Sequence, residues 1–453
     1  MTSASAAPAK DASAGGCAAS TRMPQLDDVA RGALFVAAGL WPLSPALKNL
    51  ALAVAVVAWL LSWWMTQPRR MPHPRATVPL LLWLAAGLCS LPQSIHLLSS
   101  LRGIAKVLEE IAIVLATAHV ITTSRHLARL AWAMMIGATL ASLDGLVQLV
   151  RGSDLVYHME AGIALSGLPR LTAAFHHAND FGVYGASLLP VALVMALSAA
   201  PGRRRWLAWG MAALLSVATL WTWSRPAAVG IAGSLVVFLT VRGAWRMLAL
   251  VGIAALIGVV ALPAPIKTWA AQQPSWIDVL AQPERPQMWR TALNMIHAHS
   301  VTGVGINTFA RNYVRYRQPD DPLTTAYAHN HFLHMAAEIG LVGLAAFGLF
   351  LVSTWLVWQR LLTGHDATRS LWAAGVGCGL ISFLLVGLLE SALYSPHTHL
   401  AFWVWAGALH GLDNSDKRPQ STSDRSQKSD VRSQDVQKSD VRSQKSEYGS
   451  SDF

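Results

Sequence analysis

Apolar runs separated by short polar breaks fill the chain from about residue 30 to residue 412. They fall roughly at 30–45, 47–66, 77–91, 101–122, 128–150, 178–200, 206–223, 226–241, 247–263, 330–358, 371–390 and 397–412. Most approach the ~20 residues that cross a bilayer as a helix, so hydropathy predicts an all-α polytopic membrane protein with about twelve spans. If the first run crosses outward, the even-numbered breaks hold Arg69, Arg70 and Arg75, then Arg125 and Arg129, then Arg203, Arg204 and Arg205, then Arg242 and Arg246, then Arg360 and Arg369. Short basic linkers of this kind stay in the cytoplasm, and both termini follow them there. The opposite side carries two sizeable connections, about 151–178 and 263–328. A connection as long as the second is unusual without structure of its own, and long loops tend to carry function. Within it, Met288, Leu293, Met295 and Ile296, then Phe309, Tyr313, Val314 and Tyr316, recur at helical spacing. They predict short amphipathic helices against the outer membrane surface.

Composition agrees with a membrane protein and excludes other classes. Hydrophobic residues make up 53% of the 453 positions and charged residues only 13%, too apolar a balance for a water-soluble chain. The net charge of +11 marks membrane faces and indicates no nucleic-acid partner. Cys17, Cys89 and Cys378 lie far apart without metal or disulfide spacing. Two ends stand outside the membrane domain of residues 31–411. Residues 1–30 read as a disordered cytoplasmic lead-in without the apolar core of a signal peptide. Residues 412–453 read as a disordered cytoplasmic tail of Ser, Asp, Lys, Arg and Gln, with Ser-Asp-Val-Arg-Ser-Gln at Ser429–Gln434 and again at Ser439–Gln444.

Topology accounts for the inner arginines and leaves charges on the outer side: Arg102, Lys106, Arg170, Arg225, Lys267, Arg285, Arg290, Arg311, Arg315 and Arg317. Arg225 sits on a tight hairpin in front of Pro226, where snorkelling is the alternative to function. Arg102 and Lys106 share a helix face, and a structural Lys106–Glu110 pair competes with a role in binding. Fixed guanidiniums at a membrane surface suit a lipid-linked diphosphate, because the planar fork bonds phosphate in bidentate fashion and never deprotonates. They can also stabilise a departing diphosphate, the task that a divalent metal performs in many glycosyl-transfer enzymes. The entry to the tenth run holds His329, His331, His334 and Glu338. His329 and His331 point about 200° apart on a helix, a poor metal cage. Three readings stay open: a metal site, interfacial structural histidines, and acid–base catalysis, for which an imidazole is suited near neutral pH.

His329-Asn330, nine residues and then Gly340 resembles the His-[Asn/Ser/Gln]-x9-Gly signature of bacterial O-antigen ligases, within the wider group of O-antigen polymerases and O-oligosaccharyltransferases. Ser224-Arg225 with Gly230 resembles the group's Ser-Arg turn between two spans, although Pro226 stands where glycine is common. Arg285 through Trp289, continuing to Gly303-Val304-Gly305 and Phe309, resembles its outer-loop stretch, and Asn179-Asp180 a further feature, with helix capping as the alternative. The resemblance implies a GT-C-like glycosyltransferase of the bacterial inner membrane with a periplasmic active site. Its substrates would be an undecaprenyl-diphosphate-linked O-antigen donor and a lipid A–core acceptor, joined with inversion and without metal or other cofactor. On this reading His329 is the catalytic base, and Arg225 and Arg285, helped by Arg290, hold the diphosphate. Arg102, Lys106, Asn330 and Gly340 form a second tier. A polymerase or protein O-oligosaccharyltransferase differs only in acceptor. A flippase or transporter is the rival from another class, although no internal repeat relates the two halves of the chain.

Overall fold

The computed structural model describes residues 24–66, 73–164, 167–175, 177–273, 279 and 284–414. In chain order the helices are α1 (Pro24–Leu40), α2 (Pro45–Met65), α3 (Pro74–Cys89), α4 (Leu97–Val120), α5 (Ser124–Arg151), α6 (Ala178–Ser198), α7 (Arg203–Trp221), α8 (Arg225–Val241) and α9 (Trp245–Val260). The long connection contributes α10 (Ala264–Ala271), α11 (Arg285–Ala298) and α12 (Phe309–Tyr316). The chain then returns as α13 (His331–Thr363), α14 (Ala367–Val386) and α15 (His399–Asn414). Between α5 and α6, β1 (Gly162–Ile163) and β2 (Pro169–Arg170) form a small antiparallel hairpin. Local chemistry sets several boundaries. Ser44, Thr123, Ser224 and Asp366 accept backbone N–H groups at the starts of α2, α5, α8 and α14, satisfying donors that a helix N-terminus otherwise leaves free.

Each apolar run becomes a helix, but among the described residues fewer than twelve have the length and apolarity of a span by themselves, and one limit needs correction. Among the described residues, six helical segments are long and apolar enough to cross a membrane, in α2, α3 with the turn after it, α5, α6, α13 and α14; α9 with α10, bent by 85°, would be a seventh. The other runs fall short of that standard for two reasons. α1, α8, α9 and α15 have only 16 or 17 residues, while α4 carries Arg102, Lys106, Glu109 and Glu110 and α7 opens on three arginines. α1 begins at Pro24, inside the segment expected to be disordered to residue 30. Residues 1–23 and 415–453 of the two expected tails lie outside the described residues.

Exposure is inverted relative to a water-soluble protein. α2 exposes Leu50, Val54 and Val57, α9 Leu250, Ile253 and Ile257, and α13 Leu349, Val352 and Leu356, faces suited to lipid. Inside, α14 packs on α6 and α8, α13 on α3, α15 on α4, and α1 on α2 and α5. Phe347, Phe350, Phe402 and Trp403 form a buried aromatic cluster between α13 and α15.

α13 is broken at Ile339 and Gly340, and the break fixes the outer loop. Gly340 has φ 70° and Gly303 φ 71°, a region that side-chain-bearing residues seldom adopt. The break frees Ala337 O and Glu338 O, which accept from Val304 N at 2.9 Å and Gly305 N at 3.0 Å, while Leu341 N donates to Ser300 O at 2.8 Å. Glu338 also accepts Asn307 N and Phe309 N at the start of α12. The apolar faces of α11 and α12 (Met288, Met295, Phe309 and Tyr313) meet Ala337 of α13 in a small separate core. They are therefore spent on protein contacts rather than laid on the membrane surface, as their periodicity had suggested. A Cβ at Gly340 would overlap the Val301 carbonyl, whereas Gly348, farther along the same helix, has open space. Gly340→Ala should cost roughly 1–3 kcal/mol of backbone strain and lower the melting temperature in detergent. Gly348→Ala should leave it unchanged or raised; equal melting temperatures for the two variants would contradict this role of the break.

Candidate active site

The odd-numbered connections meet at one end of the helix bundle, and their polar side chains form a continuous chain of hydrogen bonds. The β1–β2 hairpin is tied to the α7–α8 turn by Leu171 N donating to Trp221 O at 3.2 Å. This places Arg170, whose Nε donates to Thr222 O and whose Nη2 donates to Asn179 Oδ1, both at 2.7 Å. Asn179, in the first turn of α6, donates through Nδ2 to Glu390 Oε2 at 2.9 Å. Arg285, in the first turn of α11, donates through Nη2 to the same oxygen at 3.3 Å and through Nη1 to Leu389 O. The other carboxylate oxygen, Glu390 Oε1, binds His329 Nδ1.

Glu390 is thus the centre of the cluster. Burial alone would push its carboxyl upward, but the hydrogen bond and charge of His329, the Arg285 guanidinium and the Ser391 N–H together hold it down to about 2. His329 lies just before α13 in the left-handed region, φ 45°, and its side chain is 30% exposed. With Nδ1 bound to the carboxylate, Nε2 is the free ring nitrogen. A ring held this way by a buried acid can take a proton at Nε2, and the carboxylate then stabilises the resulting imidazolium. His329 and Glu390 border an open cavity of about 490 Å³ whose other walls include Tyr327, Tyr394 and Ser395.

The segment between α14 and α15 that carries Glu390 has no regular structure, yet its carbonyls are held almost without interruption. Leu388 O accepts from Asn330 Nδ2, Leu393 O and Tyr394 O from Lys106 Nζ, Pro396 O from Lys48 Nζ, and His397 O from Trp41 Nε1. Buried irregular backbone needs such internal partners, and two lysines from α2 and α4 supply several of them.

This geometry sorts the residues singled out in the sequence. His329 and Arg285 meet on Glu390, and Arg225 lies near enough to Arg285 and Arg170 for their charges to act on it. Arg225 opens α8, donates to Val279 O at 2.8 Å and lies over the Trp269 ring at 5.1 Å. Arg285 is only 2% exposed, and its fork grips the Glu390 segment rather than facing open space. Arg290 is exposed on α11 and takes no part in the hydrogen-bonded cluster, since five residues separate it from Arg285 and turn it to another helix face. Lys106 anchors the Glu390 segment instead of pairing with Glu110, and Arg102 is exposed. Asn330 caps α13 by accepting Phe332 N and Leu333 N, and Gly340 makes the helix break. His331 and His334 are buried, stacked on Phe383 and on Tyr394 respectively, so they are packing histidines. Asn179 serves Glu390 and Arg170 rather than a helix cap. Sequence reasoning missed Glu390, because it reads as the end of the eleventh apolar run; the signal available was an acid on the outer side of an otherwise uncharged span.

Residues 210–348 match the O-antigen ligase family model. That segment belongs to the O-antigen ligase family. The match contains Arg225, Arg285, His329 and Gly340 and stops short of Glu390. No curated protein matches the chain. Family and apolar helices together describe a membrane enzyme that transfers glycosyl groups in O-antigen and lipopolysaccharide biosynthesis. The Glu390 contacts also carry a pH signature. A carboxyl at about 2 in the folded protein and near 4.5 when free binds fewer protons folded than unfolded between those values. Its contribution to stability is therefore present above about pH 4.5 and lost as pH falls toward 2. Thermal unfolding in detergent across this window should show a steeper acid loss for the native chain than for Glu390→Gln. Parallel curves would contradict the carboxylate's ion-paired state.

Proposed function

We propose that the chain is an O-antigen ligase that moves polysaccharide from undecaprenyl diphosphate to a sugar hydroxyl of lipid A–core, with inversion and without a metal. The fold would be a GT-C-like bundle crossing the bacterial inner membrane about twelve times, with both termini cytoplasmic and the active site periplasmic. The observation that carries the reading is the His329–Glu390 pair beside three arginines, Arg170, Arg225 and Arg285, all drawn from connections on the side opposite the short basic linkers.

In the proposed reaction His329 Nε2 removes the proton from the acceptor hydroxyl as that oxygen attacks the donor's anomeric carbon. The bond from this carbon to the diphosphate oxygen breaks, and its electron pair leaves with the diphosphate. Arg225, and Arg170 beside it, receive that developing charge. Arg285 acts through Glu390 as a positioning residue, and Glu390 in turn orients the imidazole and balances its charge. Positive forks supply the electrostatic stabilisation for which other glycosyl-transfer enzymes use a cation.

Purified full-length protein, lipid-linked donor and lipid A–core acceptor test the reading. His329→Ala should lower turnover on the order of 10²–10⁴-fold with the melting temperature retained, and Arg225→Lys should also fail, since an ammonium lacks the fork. A strong chelator should leave the rate unchanged. Near-normal turnover by His329→Ala would remove it as the base. Transfer to a second donor molecule or to a Ser-rich peptide, but not to lipid A–core, would favour a polymerase or a protein O-oligosaccharyltransferase instead.

A further inference from the structure

The cavity beside His329 is walled by aromatic rings, hydroxyls, carboxylates and the imidazoles of His177 and His397, with no guanidinium or ammonium group among its described walls. Among the described residues that border it are Tyr327, Tyr394, Ser391, Ser395, His177 and Asp180, and none of the three arginines. Glu390 divides the two environments. Its Oε1 faces His329, which borders the cavity, and its Oε2 takes Asn179 and Arg285. In an inverting displacement the attacking oxygen and the departing group occupy opposite sides of the anomeric carbon. The base belongs with the attacking oxygen, and Arg225 and Arg170 with the leaving diphosphate.

We propose that this cavity is the acceptor subsite and that it receives an uncharged sugar ring. The inference rests on the transfer reaction set out above. Its volume of about 490 Å³ lies within the ordinary range for small-molecule sites, roughly 300–1,000 Å³. Tyr327, 54% exposed, presents an aromatic surface at the cavity with a polar hydroxyl, the amphipathic combination that a sugar's C–H face and hydroxyls require. Tyr327 and Tyr394 both stack on buried His334, at 5.7 and 3.8 Å between ring centroids, so both rings are held in place. Ser391 and Ser395 ride on the segment clamped by Lys106 and Lys48, which makes that wall rigid rather than adaptable. A rigid wall of hydroxyl-bonding groups discriminates strongly against a sugar lacking the matching hydroxyl, because its own polar groups are then left unpaired.

Two readouts test the subsite, one of them independent of turnover. In a full-length chain with its three cysteines replaced by alanine, Ser395→Cys is labelled with a thiol reagent. Core oligosaccharide released from lipid A should slow labelling severalfold, and inorganic pyrophosphate should not. In the transfer assay Tyr327→Ala should raise the acceptor KM about tenfold and leave the donor KM within about twofold, with Tyr327→Phe, which keeps the ring and loses the hydroxyl, raising the acceptor KM by less. Protection by pyrophosphate, no protection by the oligosaccharide, or a rise confined to the donor KM would overturn the assignment. Protection by the oligosaccharide in a protein that transfers nothing would sink the ligase reading and leave the sugar subsite standing.

Discussion

One buried carboxylate organises the outer end of this protein. Glu390 has an oxygen for the His329 ring and an oxygen for Asn179 and Arg285, and these partners come from distant stretches of the chain. Burying a charge is tolerable only when partners satisfy it, so the carboxylate enforces the meeting of the α11 start, the α13 entry and the α14–α15 segment. The same requirement runs outward to Lys48, Lys106 and Trp41, whose donors occupy the carbonyls of that segment. The geometry of the candidate site and the satisfaction of irregular backbone inside a membrane protein are here one problem with one solution.

The break in α13 is the second constraint. A continuous helix through residue 340 would have kept the Ala337 and Glu338 carbonyls inside its own ladder. Ending the ladder at Gly340 releases them to Gly303-Val304-Gly305, which docks α11 and α12 onto the first half of α13. Arg285 reaches Glu390 from that docked unit. The glycines of the His-Asn-x9-Gly and Gly-x-Gly patterns therefore act on the site through backbone shape.

Much of this was legible in the sequence. Hydropathy located the helices because a lipid-facing helix must be apolar along its length, and the run from 226 to 241 coincides closely with α8. The Arg225 candidate followed from charge placed where topology does not call for it, and His329 from the histidine-rich entry to the tenth run together with the His-Asn-x9-Gly resemblance. Other features were hidden for physical reasons. Glu390 follows a long apolar stretch, and its partners His329 and Arg285 lie far away in sequence, so no local spacing announces the pair. Arg285 and Arg290 look alike in sequence, yet helical geometry buries the first and exposes the second. Lys106 resembles a binding cation or a helical ion-pair partner, but its ammonium group serves backbone carbonyls on a segment nearly three hundred residues later. The amphipathic pattern of α11 and α12 correctly marked one apolar face on each helix without revealing that protein, not lipid, covers it.

Coupling between Glu390 and His329 is measured most directly by a double-mutant cycle on transfer turnover. If the carboxylate works only through the imidazole, the double variant His329→Ala with Glu390→Gln should be no slower than His329→Ala alone, a coupling that cancels the second loss entirely. Losses that instead multiply, each variant slowing the enzyme by the same factor whether or not the other is present, would show that the two groups act separately and would contradict the account.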